Sequence, residues 1–280
     1  MCIRDSPDPD ETKAQSILDS VVPMVYGTRK VTGRIAAWQY QSDKTLDIGV
    51  VFGYGEQDSI TLATTYLNGE AINAATFITA EAVHVGDGAA ALSTVLTNMT
   101  AWDAGAFDDT ALWKDYAHAA MTLNCRTGRV PQGMTFEATL GGRLVDASWR
   151  SGGAADTASS NPVEIAYDIM TSSDWAGLAA AKIDVDSWEA VADWCDDTMG
   201  DATARYEYNG IITERDPDKA LAEVLSHCLA HTYVGDDGKL HLWAEMAPPS
   251  ITGEWSATAS ATITEAVSYT HLTLPTTPYV

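Results

Sequence analysis

Between Ser151 and Ser160 the chain reads SGGAADTASS, and the hydrophobic period differs on its two sides. Upstream, apolar residues alternate or run in short β-branched blocks separated by glycine, the pattern of strands. Downstream they recur every three to four residues behind Asn-Pro, Asp-Ser and Asp-Pro starts, the pattern of capped amphipathic helices. A chain built this way is neither all-helical nor a regular alternation of strand and helix. The expected class is α+β: β-rich domain material over 7–150, a small polar linker at 151–160, and an α+β domain over 161–247.

Within the first part the expected strands are Val21–Tyr26, Arg29–Trp38 with Gly33 as a bulge, Leu46–Val51, Ile60–Leu67 and Phe77–Val85. Asn68-Gly69 marks a hairpin, because both residues accept the positive φ of a type I′ turn. A short helix is expected at Ala89–Leu96, then strands at Ala119–Cys125 and Thr135–Val145 around a turn at Gly128–Gly133. In the second part, Asn161-Pro162-Val163-Glu164 opens a helix to about Met170, with Asn161 as cap and Glu164 reaching back to a free amide. Asp186-Ser187-Trp188-Glu189 repeats that start with Asp186 as cap, and Trp188, Val191, Ala192, Cys195 and Met199 form its apolar face. Asp216-Pro217 opens a third helix with the face Leu221, Val224, Leu225, Cys228 and Leu229. A strand over Arg205–Thr213 precedes it and a hairpin over Thr232–Trp243 follows, giving a local β-α-β-β order. Ile251–Ile263 reads as the start of a further strand within 248–266.

The 16 basic and 39 acidic side chains leave a formal net charge of −23, which argues against recognition of nucleic-acid phosphates. Nine Trp, eleven Tyr and 46% hydrophobic residues are enough for a packed core and argue against disorder. No apolar run approaches the ~18 residues of a membrane-spanning helix. Cys125, Cys195 and Cys228 are unevenly spaced and form no CxxC pair, so a reduced, interior role is expected.

Chemistry-bearing patterns are few. Glu223, His227 and His231 recur every fourth residue, so a continuous helix would put them in one stripe able to share a metal. The glutamate next to the first histidine that makes HExxH catalytic is missing, and solvated or hydrogen-bonded flanking residues are the expectation. Asp184, Asp186, Asp196 and Asp197 cluster at the ends of one helix without the alternating ligands of a calcium loop. Asp236-Asp237-Gly238 and Gly86-Asp87-Gly88 read as turns, and no GxSxG elbow or nucleophilic cysteine motif is present. Trp38, Trp188 and Trp243 are expected in core positions rather than as sugar platforms. No catalytic residue, metal ligand or cofactor site is assigned, and the chain is not expected to be an enzyme.

Several ordered blocks resemble phage tail-tip attachment proteins of the J type. Val22-Pro23-Met24-Val25-Tyr26-Gly27 with Val31-Thr32-Gly33 is similar to the family's P-V-V-Y-G-x-x-R-V-x-G start, and Tyr66-Leu67-Asn68-Gly69 to its Y-L-N-G turn. Asn161-Pro162-Val163-Glu164-Ile165-Ala166-Tyr167-Asp168-Ile169-Met170-Thr171 resembles N-P-A-x-x-x-x-D-x-L-T. Ile183–Trp188, Cys195-Asp196, Arg205–Ile212 and Asp237–Leu242 follow in the family's order. Residues 89–117 match poorly, and Trp175–Leu178 is a loose version of the corresponding Y-G-L/I segment. Met1–Ser6 and Val267–Val280 instead resemble translated sequencing-adaptor sequence, which sets the expected natural material at about residues 7–266 with its charge unchanged.

The resemblance implies a virion protein of the tail tip or baseplate hub, made in the host bacterial cytoplasm. It implies a homotrimer partnered by the tail tube, tape-measure and other tail-tip proteins, supporting host attachment and DNA delivery. DNA would pass without specific binding, repelled by an acidic lumen; a saline habitat is the competing account of the charge. Three other readings stay open: a hub or spike of a phage-derived injection machine or gene-transfer particle, a metal-dependent hydrolase using Glu223, His227 and His231, and a secreted glycan-binding β-protein.

Overall fold

A three-residue strand, β1 (Met24–Tyr26), lies between two hydrophobic cores and supplies both. Side chains alternate across a strand, so Met24 and Tyr26 enter one core and Val25 the other. The computed structural model describes residues 22–41, 44–75, 77–88, 94–97, 114–125, 133–198 and 204–245. All belong to one compact unit ending at Glu245. A second unit, Met246–Val280, lies outside the described residues, as do the strand expected at Ile251–Ile263 and both adaptor-like ends. Positions 128–132 of the turn expected at Gly128–Gly133, and Met199, also lie outside them.

The first core is enclosed by two antiparallel four-stranded sheets. After β1 come β2 (Arg29–Thr32), β3 (Arg34–Tyr40), β4 (Thr45–Tyr54), β5 (Thr65–Leu67), β6 (Glu70–Ala71), β7 (Ile78–His84), β8 (Tyr116–Asn124) and β9 (Phe136–Leu140). One sheet has the order β2-β9-β5-β6 and the other β3-β4-β8-β7. Val31, Leu67, Phe136, Ala138 and Leu140 from the first meet Ile48, Val50, Phe52, Met121 and Leu123 from the second. The opposite face of β4 and β8 is covered at Val51 and Ala120 by Val95 and Leu96. Those two belong to a single helical turn, Thr94–Thr97, which is what the structure describes of the helix expected at Ala89–Leu96.

Gly33 is a corner rather than a bulge. It separates β2 from β3, which belong to different sheets, and a β-carbon there would collide with Phe52 and Val50. The strand expected over Ile60–Leu67 is likewise shortened. Thr61 and Thr64 cap each other around a 3₁₀ turn at Leu62–Thr64, leaving Thr65–Leu67 as strand. Hydroxyls that bond to nearby backbone compete with the sheet ladder. Asn68 (φ 53°) and Gly69 (φ 84°) make the expected hairpin between β5 and β6.

The second core is helical. Short strands β10 (Leu144–Val145) and β11 (Thr157–Ala158) pair across the 151–160 segment. They are followed by α1 (Pro162–Thr171), α2 (Val185–Asp196), β12 (Gly210–Ile212), α3 (Pro217–Ser226), β13 (Ala230–Val234) and β14 (Leu240–Ala244). The fold is thus α+β, with the expected β-α-β-β order at its end. However, β12 pairs with β1 instead of the hairpin, and the strand expected over Arg205–Thr213 shrinks to three residues.

Asn161 caps α1 by accepting from Val163 N at 2.9 Å. Its amide also donates to Ala192 O (3.0 Å) and Asp196 Oδ1 (2.8 Å), tying the start of α1 to the end of α2. Glu164 does not close a capping box. The Asn161 N–H donates to Ser159 Oγ, while Glu164 is buried 2.7 Å from the Arg150 guanidinium. Asn161→Ala removes one cap and two donated hydrogen bonds, the one to Ala192 O buried. It is expected to lower unfolding stability by about 1–2 kcal/mol in a urea titration.

The cap of α2 is Asp184, two residues before the expected Asp186. Asp184 Oδ2 accepts from Ser187 N. The Ser187 hydroxyl first, and this backbone hydrogen bond after it, hold the Asp184 carboxyl below the usual range. Trp188, Val191, Ala192 and Cys195 are buried as the periodicity predicts. Cys195 and Cys228 are buried free thiols; the neighbouring Cys228 thiol and burial both push Cys195 upward, so it is a poor nucleophile.

Candidate functional site

Polar groups concentrate where the two cores meet. Tyr26, fully buried on β1, donates its hydroxyl to Asp168 Oδ2 at 2.6 Å and accepts from Trp175 Nε1 at 3.1 Å. Arg143 reaches the same place from just before β10. Its Nε lies 3.3 Å from Asp168 Oδ2 and its Nη2 2.8 Å from Asp174 Oδ2, and Nη2 also donates to Ser172 Oγ at 3.3 Å. Tyr54, at the end of β4, donates to Asp174 Oδ1. Asp168 sits on α1, so this network joins β1, β4, the β9–β10 corner and the first helix.

Burial raises the Tyr26 hydroxyl well above its usual pKa, and Asp168 adds to the shift. Burial also raises Asp168, against the opposing pull of Arg143. Arg143 is raised in turn, because its acidic neighbours outweigh its desolvation. The phenol, the guanidinium and the two carboxylates are engaged with one another and clamp the two cores together. A shallow, open cleft of about 480 Å³ lies beside it, among Gly27, Gly141, Ser160 and Asn209. Among the described residues, Glu207 is its sole charged lining residue.

The residues with metal-ligand spacing are not brought together as a stripe. Helix α3 stops at Ser226, His227 is its C-cap, and Leu229 adopts a left-handed backbone (φ 54°) before β13 starts. Leu229 is consequently exposed instead of lying on the apolar face, and His231 belongs to a strand. Glu223 Oε1 accepts from Tyr208 at 2.9 Å, and His227 Nδ1 lies 3.1 Å from the Glu223 carbonyl. Burial, then Glu223, raises the Tyr208 hydroxyl. His231 stacks on Trp243, 6.4 Å between centroids.

A different trio comes together: Asp184, Asp237 and His241, whose ligand atoms lie within 4.8 Å of one another. His241 Nδ1 is 3.1 Å from Asp184 Oδ2 and its Nε2 is 3.0 Å from Asp237 Oδ1. Asp237 is held low by His241 first, then by the Lys239 N–H. With both ring nitrogens engaged, a metal would have to displace one of these contacts, and Asp184 is already spent as a helix cap. Asp237 and His241 share one hairpin, while Asp184 is remote in sequence, so no local pattern could have revealed the set.

The hairpin also corrects the expectation for Trp243, which is half exposed. Trp38 is partly buried against the first core, and Trp188 is fully buried in the second. No helix among the described residues is long and apolar enough to cross a membrane.

No protein-family model matches the chain, and no curated protein matches it. Among solved structures, a chain from the virion of a native gene transfer agent particle aligns with it at 9% identity and a TM-score of 0.45. The alignment covers 82% of this chain and 54% of that one, so the chain spans about half the length of its neighbour. A likeness this distant assigns neither family nor role.

Proposed function

We propose that the chain is a structural part of a tail-tip or baseplate hub of a tailed-phage particle, acting by assembly without catalytic turnover. The observation that supports this reading is the convergence of the blocks that resemble the J-type family. The Val22–Gly27 block pairs through β1 with the Arg205–Ile212 block through β12, in the register Met24 to Ile212 and Tyr26 to Gly210. Thr28 N donates to Asn209 Oδ1 across 181 residues of sequence. Tyr26 from the first block bonds to Asp168 from the Asn161–Thr171 block. Ile183 of a further block bridges Leu240 of the last. Motifs scattered along a chain that build one junction behave as a unit, and their order is harder to meet by chance than any single motif.

In this role three copies surround a passage, and the net charge of −23 repels the phosphates of DNA moving through it. Sedimentation velocity on the full chain over a range of concentrations tests the reading. A species of three chains, with no retention of duplex DNA at low salt, is the expected result. A monomer at every concentration, or DNA retained at low salt, would overturn it.

A further inference from the structure

We infer that the outer face of the β13–β14 hairpin is a docking platform for an arginine-bearing segment of a partner protein. Ala230, Leu242 and Ala244 point into the helical core. By the same alternation His231, Tyr233, His241 and Trp243 stand on the opposite face. The antiparallel register places His231 opposite Trp243 and Tyr233 opposite His241. Both pairs stack: 6.4 Å between centroids at 18° for the first, 5.2 Å at 21° for the second. The result is a two-by-two array of rings. Tyr233 is 52% exposed and Trp243 50% exposed, whereas Trp188 beneath them is 0% exposed. Among the described residues, five large hydrophobic side chains are exposed; Tyr233 and Trp243 stand together on this face, and Leu229 and Val234 lie at the two ends of β13. Apolar exposure gathered in one place marks a contact surface; the same side chains scattered singly would not.

Charge selects the occupant. The faces of tyrosine and tryptophan rings are electron-rich and attract guanidinium groups. The array is bordered by carboxylates. Asp184 and Asp237 grip the two nitrogens of His241, and residues 229–245 carry Asp236, Asp237 and Glu245 against Lys239 alone. A guanidinium lying on Trp243 or Tyr233 can therefore face a carboxylate at its edge, combining ring and charge contacts. A second copy of this chain brings the same negative charge and the same acidic rim, which disfavours it at this face.

The test uses the full chain and a fluorescent peptide of alternating arginine and glycine, read by anisotropy, with a glutamate-for-arginine peptide as control. The arginine peptide is expected to bind, and to weaken as salt rises. Tyr233→Ser combined with Trp243→Ser is expected to weaken it about tenfold or more, and Asp237→Asn several-fold. Tyr40→Ser removes another exposed aromatic, far along the chain on β3, and is expected to leave binding unchanged. All the replaced aromatics are solvent-exposed, and circular dichroism with a thermal melt verifies that each variant is folded. Undiminished binding by the double variant, or equal weakening by Tyr40→Ser, would overturn the proposal, because net charge alone would then hold the peptide. A double variant that alters sedimentation while binding the peptide normally would overturn it in favour of a contact between copies. Neither result depends on the hub reading, which is judged by the trimer and by DNA exclusion.

Discussion

Arg143→Met is expected to destabilise the chain by about 3–5 kcal/mol near neutral pH, the largest effect of any single charge removal at the junction. The guanidinium is about one-tenth exposed and faces Asp168, itself about one-tenth exposed, together with Asp174. Removing it leaves Asp168 buried with the Tyr26 hydroxyl as its remaining described donor. The pH dependence carries a definite sign. Burial already raises Asp168 above its unfolded value, and losing Arg143 takes away the main opposing influence. A carboxyl with a raised folded-state pKa binds its proton more tightly in the folded state. Its contribution is therefore fully present at low pH and is lost as pH rises through the window between the unfolded and folded values. The deficit of the variant should be smallest in acid and grow toward neutrality. Urea titrations at several pH values measure it, and a deficit independent of pH would show that Asp168 is not the group left stranded.

Trp188→Ala should have an effect of similar size, about 3–5 kcal/mol, for a different reason. The indole is the largest fully buried side chain among the described residues and packs edge-on to Tyr167, with 6.0 Å between ring centroids. Its Nε1 donates to Leu240 O at 3.1 Å, fastening the second helix to the hairpin. Truncation opens a cavity and leaves that carbonyl without this donor. Trp188→Phe keeps most of the volume and loses the hydrogen bond, so it should retain more than half of the lost stability. Equal losses for Ala and Phe in the same unfolding assay would mean that the hydrogen bond, not the packing, dominates.

The parts of the fold legible in the sequence are those decided within a few residues. Asn68-Gly69 needs positive φ at both positions, and Asn161-Pro162 and Asp216-Pro217 each combine a side-chain cap with a residue that needs no donor. The misread elements depend on partners distant in sequence. Glu164 has the spacing of a capping box, but Arg150 offers a full charge against a single amide, and Ser159 takes over the Asn161 N–H. Glu223, His227 and His231 keep helical spacing past the point where the backbone turns left-handed at Leu229, a position without the glycine that usually announces a helix end. Gly33 looks like a bulge because the sequence shows neither of the two sheets between which it turns. The junction of Tyr26, Arg143 and Asp168 was not visible as a cluster, although Tyr26 and Asp168 both fall in blocks that the family resemblance singled out.

The sharing of β1 between two cores also bears on how the chain matures during synthesis. Its partner strand β12 leaves the ribosome more than 180 residues after it, a separation matched by the Thr28–Asn209 contact at 181 residues. At ordinary translation rates that is a delay of roughly 10 to 40 s. Throughout it the β-rich part lacks one wall of its strand pair, and Met24 and Tyr26 have no helical core to enter. Final consolidation is therefore a late, long-range event, slow by its topology. A ribosome pausing downstream of the 151–160 segment would hold a nascent chain with an open β edge, the state most prone to pairing with another chain.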